Sequence, residues 1–506
     1  MLEISESEIV ARLQFDNPWW QSNDPGEVQY NDMPRRKYFD PFLEAVVDHS
    51  IRRAVVLMGP RRVGKTVMIY HAISALLSNG KEGKNILYLS LETPLYTGLA
   101  LEKLLKLFTG LFKIDRKKQL YVFFDEIQYL RDWEIHLKSL VDSYPECKFI
   151  ATGSAAAALR LKSNESGAGR FSNFMLPPLT FAEYLQFIGL ENQLIHEKTT
   201  EVNGQTKREY ICPDIDRLNE EFFRYLNFGG YPEAVFSSTV QKNPGQYIKS
   251  DIIDKVLLRD LPSLYGITDI QDLNRLFTVL AYNTGNEVSL EALSKSAGVA
   301  KNTIKRYLEY LEAAFLIKRV ERIDQNAKRF KRAMCFKVYL TNPSMRAALF
   351  GQVRADTETI GHLIETAIFS QWQHSDSVEL YYARWNTGEI DIVSLNSSNQ
   401  LPNWAVEVKW SDRPANDFSL LRHCVEFAHM HPKLQQPILC TTRTITAHAS
   451  HQDVLFEFRP SSVYAYTLGA NLLSFKNPDL SDNQTSDFQI ESISTIRVND
   501  SDKTDA

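Results

Sequence analysis

Gly59-Pro60-Arg61-Arg62-Val63-Gly64-Lys65-Thr66 has the spacing of a loop that cradles phosphate, with an apolar strand before it and a helix after it. The glycines let the backbone curl so that its N–H groups face an anion, and the helix adds its positive end. In that arrangement Lys65 reaches the β- and γ-phosphates of a nucleotide, and the Thr66 hydroxyl ligates Mg2+. Sixty positions after Lys65, the apolar run Leu120-Tyr121-Val122-Phe123-Phe124 ends in Asp125-Glu126. Asp125 suits the second magnesium-holding carboxylate, and Glu126 the group that orients or deprotonates the attacking water. A third strand, Lys148–Thr152, ends at Gly153-Ser154, where the Ser154 hydroxyl could feel the γ-phosphate. Arg170, on the glycine-flanked run Gly167-Ala168-Gly169-Arg170, could supply positive charge to the transition state, in cis or to a neighbouring subunit. ATP and Mg2+ are therefore the expected cofactors.

A second set of acids lies in the carboxyl half. Glu365 is on the predicted helix 362–371, and Asp391 on the strand 389–393. Glu407 and Lys409, two apart on the strand 404–410, share a face. Carboxylates in such a group gather one or two Mg2+ ions, here through Asp391 and Glu407, and the lysine polarises water beside a scissile phosphate. Asp391, fifteen intervening residues and then Glu-x-Lys resembles the pattern of the PD-(D/E)XK nuclease fold, with Glu365 where that fold's helical acid belongs. Between these sets, 289–299 and 300–311 predict a helix-turn-helix, with wing strands at 316–320 and 336–340. Ile304, Tyr307, Leu308, Leu311 and Phe315 share one helical face, leaving Lys301, Asn302, Lys305 and Arg306 outward as candidate DNA contacts. From Lys295 to Lys337 there are 12 Lys/Arg against 4 Asp/Glu, a local positive field suited to a phosphate backbone; winged helices also dock proteins.

These residues have to be positioned by a scaffold. Residues 53–179 alternate strand and helix, as parallel α/β sheets do. Trp19 and Trp20 read as anchors of an amino-terminal flap, with base stacking the alternative. The chain resembles the prokaryotic AAA-type ATPases often called archaeal-type. The matching residues are Pro34-Arg35-Arg36 through Phe39, the phosphate loop, Phe124-Asp125-Glu126-Ile127-Gln128, Thr152-Gly153-Ser154 and Gly169-Arg170. The Pro-Leu-Thr-Phe-x-Glu-Tyr run and Gly229-Gly230-Tyr231-Pro232-Glu233 match as well. The resemblance implies an AAA-type core, a helical lid over the nucleotide, a DNA-binding segment and a nuclease-like carboxyl half. It further implies DNA as partner and a role in DNA metabolism or in defence against mobile DNA.

The expected fold class is thus α/β: a P-loop AAA-type core with a helical lid, a winged helix-turn-helix and a restriction-endonuclease-like α/β domain. The expected divisions are 1–180 for the amino-terminal segment and core, 181–275 for the lid, 276–345 for the winged helix, 346–475 for the nuclease-like domain and 476–506 for an acidic tail. Arg259 and Asp260 read equally as a lid–core contact or as a solvated helix face. A net charge of −5 over 506 residues confines any nucleic-acid surface to a local patch. Five scattered cysteines without a Cys-x-x-Cys pair argue against a zinc site or a disulfide framework. A polar, acidic start predicts no secretory leader, and no apolar run approaches a membrane span, so a cytoplasmic protein without membrane contact is expected. Homo-oligomers follow if Arg170 acts in trans. Two functions fit: an ATP-regulated Mg2+-dependent DNA nuclease, or an ATP-driven DNA- or protein-binding switch with a non-cleaving nuclease-like scaffold.

Overall fold

Four runs of five to seven residues, nearly all buried, can only be accommodated in a sheet covered on both faces, with a more exposed fifth strand at its edge. In the computed structural model, which describes residues 5–154, 169–202, 205–323, 335–355, 359–375, 378–396, 398–434 and 436–474, they form one. The strands are β1 (Ala54–Met58), β2 (Ile86–Ser90), β3 (Leu120–Asp125), β4 (Cys147–Gly153) and β5 (Phe171–Met175). They pair in parallel in the order β2-β3-β4-β1-β5. With β4 inserted between β1 and β3, the ends of all three strands open onto one carboxyl edge, where α/β sheets bind ligands.

The amino-terminal segment is fastened to this sheet. Trp19 and Trp20 are buried, and both indole N–H groups donate to the Ile86 carbonyl at 3.3 and 2.7 Å, which is the anchoring role expected of them. Trp20 also stacks on Phe108, with ring centroids 5.2 Å apart. Further along, Arg36 and Glu183 form a buried bidentate ion pair at 2.7 and 2.9 Å. The remaining Arg36 donors reach the carbonyls of Val63 at 2.8 Å and Pro177 at 3.0 Å. Glu183 also closes the capping box of helix Phe181–Phe187 on Thr180. Two motifs that are far apart in sequence thus meet at one charge pair.

Residues 181–265 are mostly helical, as expected. Within this stretch lies an antiparallel hairpin of β6 (His196–Val202) and β7 (Gln205–Ile211). Next come helix Ile270–Tyr282, β8 (Glu287–Ser289), helices Leu290–Ala297 and Lys301–Ala313, β9 (Ile317–Ile323) and β10 (Cys335–Leu340). The boundary expected at 275 falls inside helix Ile270–Tyr282, whose buried Leu273, Leu276, Phe277 and Leu280 continue one apolar face across it.

The chain divides into two compact units. The second holds 378–461 and the end of β9, and contains β11 (Leu380–Trp385), β12 (Gly388–Leu395), β13 (Pro402–Glu407), β14 (Ile438–Thr442), β15 (Ala447–His451) and β16 (Val454–Pro460). Their order is β15-β16-β14-β13-β12-β11, with β13-β14 and β14-β16 parallel and the other neighbours antiparallel. Helix Arg422–Met430 contributes Cys424, Val425 and Phe427 to its core. The division by contacts differs from the expected 346–475: helix Ile360–Trp372 and residues 462–474 group with the first unit. The expected acidic tail 476–506 lies outside the described residues.

Removing one partner of a buried ion pair leaves the other charge uncompensated, at a cost of about 3–5 kcal/mol. Arg36→Met is expected to lower the midpoint of the first unit's unfolding transition in urea, and Arg36→Lys to restore little, since a lysine cannot supply the bidentate fork. An unchanged midpoint in Arg36→Met would show that the pair contributes nothing.

Candidate functional site

The phosphate loop leaves β1 at Gly59, and glycine is required there because a Cβ would lie 2.2 Å from the Leu176 carbonyl oxygen. Arg62 and Gly64 then take left-handed backbone angles, φ 67° and 96°, and helix Lys65–Ser78 begins. Lys65 is buried, with Nζ donating to the carbonyls of Gly59 at 3.1 Å and Pro60 at 2.8 Å. Burial pushes its pKa down, and the nearby Glu126 and Asp125 work against that. Thr66 Oγ1 donates to Asp125 Oδ2 at 2.9 Å, which joins the two expected magnesium ligands across 59 positions. The Tyr88 hydroxyl donates to the same oxygen at 3.0 Å, and Thr152 Oγ1 donates to Oδ1. Burial and then the Glu126 charge hold the Asp125 carboxyl above its usual range.

Glu126 sits one residue past the strand at φ 56°, a strained angle for a residue with a side chain, and its N–H donates to Thr152 Oγ1 at 2.8 Å. Gln128 Nε2 donates to Glu126 Oε2, while Gln128 Oε1 accepts from the Ser154 N–H at 3.2 Å. Gln128 therefore bridges the two strand ends, a role its sequence position alone did not announce. Ser154 Oγ is buried without a hydrogen-bond partner among the described residues. An orphaned hydroxyl, a lysine held only by loop carbonyls and a threonine–aspartate pair fit a nucleotide with its Mg2+.

The remaining loop side chains are tied outward. Arg61 pairs with Asp260 at 3.0 and 3.1 Å, so of the two readings of Asp260 the contact with the core is the observed one. Arg62 pairs with Glu233 at 2.7 Å and Asp251 at 2.8 Å. Val63 packs in the core, and its carbonyl accepts from Arg36. Arg170 is elsewhere: its carbonyl accepts from the Ala54 N–H at the amino end of β1, and its Nε pairs with Asp142 at 2.6 Å. That edge is about 15 Å of strand from the loop, which rules out the reading in cis.

In the second unit β12 and β13 bring Asp391, Glu407 and Lys409 together. Asp391 Oδ2 accepts from the Val408 N–H at 3.0 Å. Lys409 lies two residues beyond the end of β13, yet its Nζ contacts Glu407 Oε1 at 2.5 Å. Burial lowers the Lys409 pKa, and Glu407 and Asp391 more than reverse that, so the lysine stays charged. Glu407 is 3% exposed, and its Oε2 has no hydrogen-bond partner among the described residues, a buried acceptor that fits a divalent cation. Glu365 groups with the first unit and is engaged there, accepting from Lys337 Nζ at 2.8 Å and the Tyr339 hydroxyl at 2.5 Å. His423 was not foreseen; its Nε2 lies 2.9 Å from Glu407 Oε1.

Lys301, Asn302, Lys305 and Arg306 are exposed on helix Lys301–Ala313, opposite the buried Ile304, Tyr307, Leu308 and Leu311. Lys301 makes one ion pair, with Glu291 at 3.5 Å. Among the described residues no helix is long and apolar enough to cross a membrane.

Residues 51–185 match the model of a family described as an AAA domain, and residues 219–356 match a domain of unknown function. An uncharacterized protein of Methanocaldococcus jannaschii is 23% identical over 354 residues, 68% of this chain and 73% of that one. An uncharacterized protein of Haemophilus influenzae is 26% identical over 352 residues, 68% and 80% of the two chains. Among solved structures, the ORC2 protein of Aeropyrum pernix, in ADPNP–ADP complexes, overlaps 65% of this chain and 90% of its own at 14% identity and a TM-score of 0.34. The assignment rests on the family match together with the loop and strand order, not on that superposition: residues 51–185 form an AAA-type P-loop domain.

Proposed function

We propose that this chain is an ATPase whose nucleotide state is passed from the phosphate loop to its helical lid, and that it acts on DNA. The observation that carries the ATPase reading is Thr66 hydrogen-bonded to Asp125 beside a buried Lys65, with Glu126 and Ser154 on the flanking strand ends. Bound ATP with Mg2+ supplies the γ-phosphoryl group and the charge that neutralises it. Lys65 presents its ammonium to phosphate once it leaves the Gly59 and Pro60 carbonyls. Thr66 and Asp125 hold the cation. Glu126 accepts the proton of the attacking water, and Ser154 donates to phosphate oxygen. Arg170, exposed at the far edge of the sheet, is left with the reading in trans, toward a neighbouring copy.

The DNA reading is supported by the element order 270–340: helix, strand, two helices, then two strands, which is that of a winged helix with Lys301, Asn302, Lys305 and Arg306 outward. The nuclease reading is supported by Asp391 within β12 beside Glu407 and Lys409 at and just past the end of the neighbouring β13, where Asp391 and Glu407 would hold a divalent cation and Lys409 would polarise water. One observation favours the second reading, a non-cleaving scaffold under an ATP-driven switch: Glu365 is held in a buried pair with Lys337.

Glu126→Gln is expected to keep nucleotide affinity and to lose about 10²–10⁴-fold in hydrolysis rate, the range for a removed general base; a rate near wild type would remove Glu126 from the chemistry. Replacing Lys305 and Arg306 together with alanine should reduce the slope of log K against log salt for duplex DNA by about 1–2, one unit per phosphate contact. An unchanged slope would assign that face to another partner. The two readings separate on supercoiled DNA with a divalent cation: cleavage by the wild type and none by Asp391→Ala supports the nuclease, whereas no cleavage in any nucleotide state, with ATP still hydrolysed, supports the scaffold.

A further inference from the structure

We propose that Glu407, His423 and Cys424 hold a transition-metal ion of the zinc class, in preference to Mg2+. The inference rests on the reading of Glu407 as a cation ligand and names the cation. A ligand atom from each of the three residues lies within 4.8 Å of the others. His423 Nε2 is 2.9 Å from Glu407 Oε1, and Cys424 is fully buried beside it at the start of helix Arg422–Met430. Glu407 Oε2 is a buried carboxylate oxygen with no hydrogen-bond partner among the described residues. A carboxylate in that position is costly unless a charge or a donor completes it.

The approach of the helix is built in. A Cβ on Gly388, the first residue of β12, would lie 2.5 Å from the His423 Cβ, so only glycine lets His423 come down over Glu407. Thr387 Oγ1 donates to the Glu426 carboxylate at 2.9 and 3.0 Å, one turn further along the same helix, and fixes its distance from the strand. The donor set decides the ion. One carboxylate oxygen, one imidazole nitrogen and one sulfur suit Zn2+ or Co2+, while Mg2+ takes oxygen ligands almost alone. Sequence spacing gave no sign of this, because His423 and Cys424 form no metal-binding motif by themselves and the site is completed by Glu407, from a strand fifteen or more residues earlier. The cysteine binds as thiolate, so uptake of the metal releases its proton.

The test is Co2+ binding to the full chain, followed by absorption and by competition with Zn2+ and Mg2+. The expected result is a sulfur-to-cobalt charge-transfer band that Zn2+ abolishes and excess Mg2+ does not. Cys424→Ser should lose the band, and His423→Gln should weaken Co2+ affinity by about tenfold or more, the loss typical even of groups that only orient a ligand. Circular dichroism establishes that each variant is folded; His423→Gln, at a partly exposed position, serves if Cys424→Ser is not. A band that persists in folded Cys424→Ser, an affinity unchanged in His423→Gln, or displacement by Mg2+ would each overturn the proposal. Because the readout is binding, it is independent of DNA cleavage: a chain that cleaves with Mg2+ but gives no cobalt band sinks this inference and leaves the nuclease reading standing, and the converse result does the reverse.

Discussion

The geometry of the phosphate loop hangs on a buried guanidinium whose hydrogen bonds are all to the protein itself. Arg36 spends its donors on Glu183, on the Val63 carbonyl inside the phosphate loop and on the Pro177 carbonyl just past β5. One planar fork therefore fixes three segments that come from different stretches of the chain. A lysine could satisfy the charge but not the directions. Glu183 is fully buried and also closes the cap of its own helix, so the helical segment begins at the point where the loop is held. Water could not substitute for these contacts without opening the core around them.

That anchoring gives the other loop arginines their meaning. With the Val63 end of the loop fixed from below, Arg61 and Arg62 extend to Asp260, Glu233 and Asp251 on the helical segment. The Arg61 pair is the more buried of these and holds its charge against desolvation chiefly through Asp260. The Arg62 pairs are more exposed and correspondingly weaker. Any ligand that draws Arg61 toward phosphate competes with Asp260, so the loop and the helical segment share one charge balance. Asp251 and Asp260 lie on π-helical segments, Gly245–Asp254 and Val256–Asp260, a rare form of helix that is frequent at functional sites.

The sequence made the core legible because its signals were local and redundant. Strand, glycine loop, Lys-Thr and helix are contiguous, and Asp125-Glu126 ends an apolar run that can only be buried. What the sequence could not show was assembled at a distance. Gln128 was visible only as part of a match, and its bridge from Glu126 to Ser154 depends on β4 lying beside β3. Arg170 looked well placed because glycines flank it, but β5 runs parallel to β1, so the residue before β5 belongs to the edge opposite the phosphate loop. Glu365 was placed by its order along the chain, yet burial demands a partner, and Lys337 and Tyr339 supply it. The hairpin 196–211 lacked any alternating apolar face to announce it.

The two acidic centres show how the same functional group, a carboxylate, is given different chemistry by its neighbours. Asp125 is surrounded by the hydroxyls of Thr66, Tyr88 and Thr152, hard oxygen donors that suit a hydrated magnesium ion. Glu407 also ends a strand and is equally buried, but it faces an ammonium, an imidazole and a thiol. Lys409 already occupies Oε1, and Oε2 is left for something that neither Lys409 nor a backbone amide provides. Hydroxyls stabilise Asp125 by hydrogen bonds without bringing a full charge, so its affinity for a cation is preserved. At Glu407 the lysine offsets part of the carboxylate charge, which disfavours an ion held by charge alone and favours one held by nitrogen and sulfur. The difference between the centres is therefore set by what packs against each strand end, and helix Arg422–Met430, admitted by Gly388, is what sets it at Glu407.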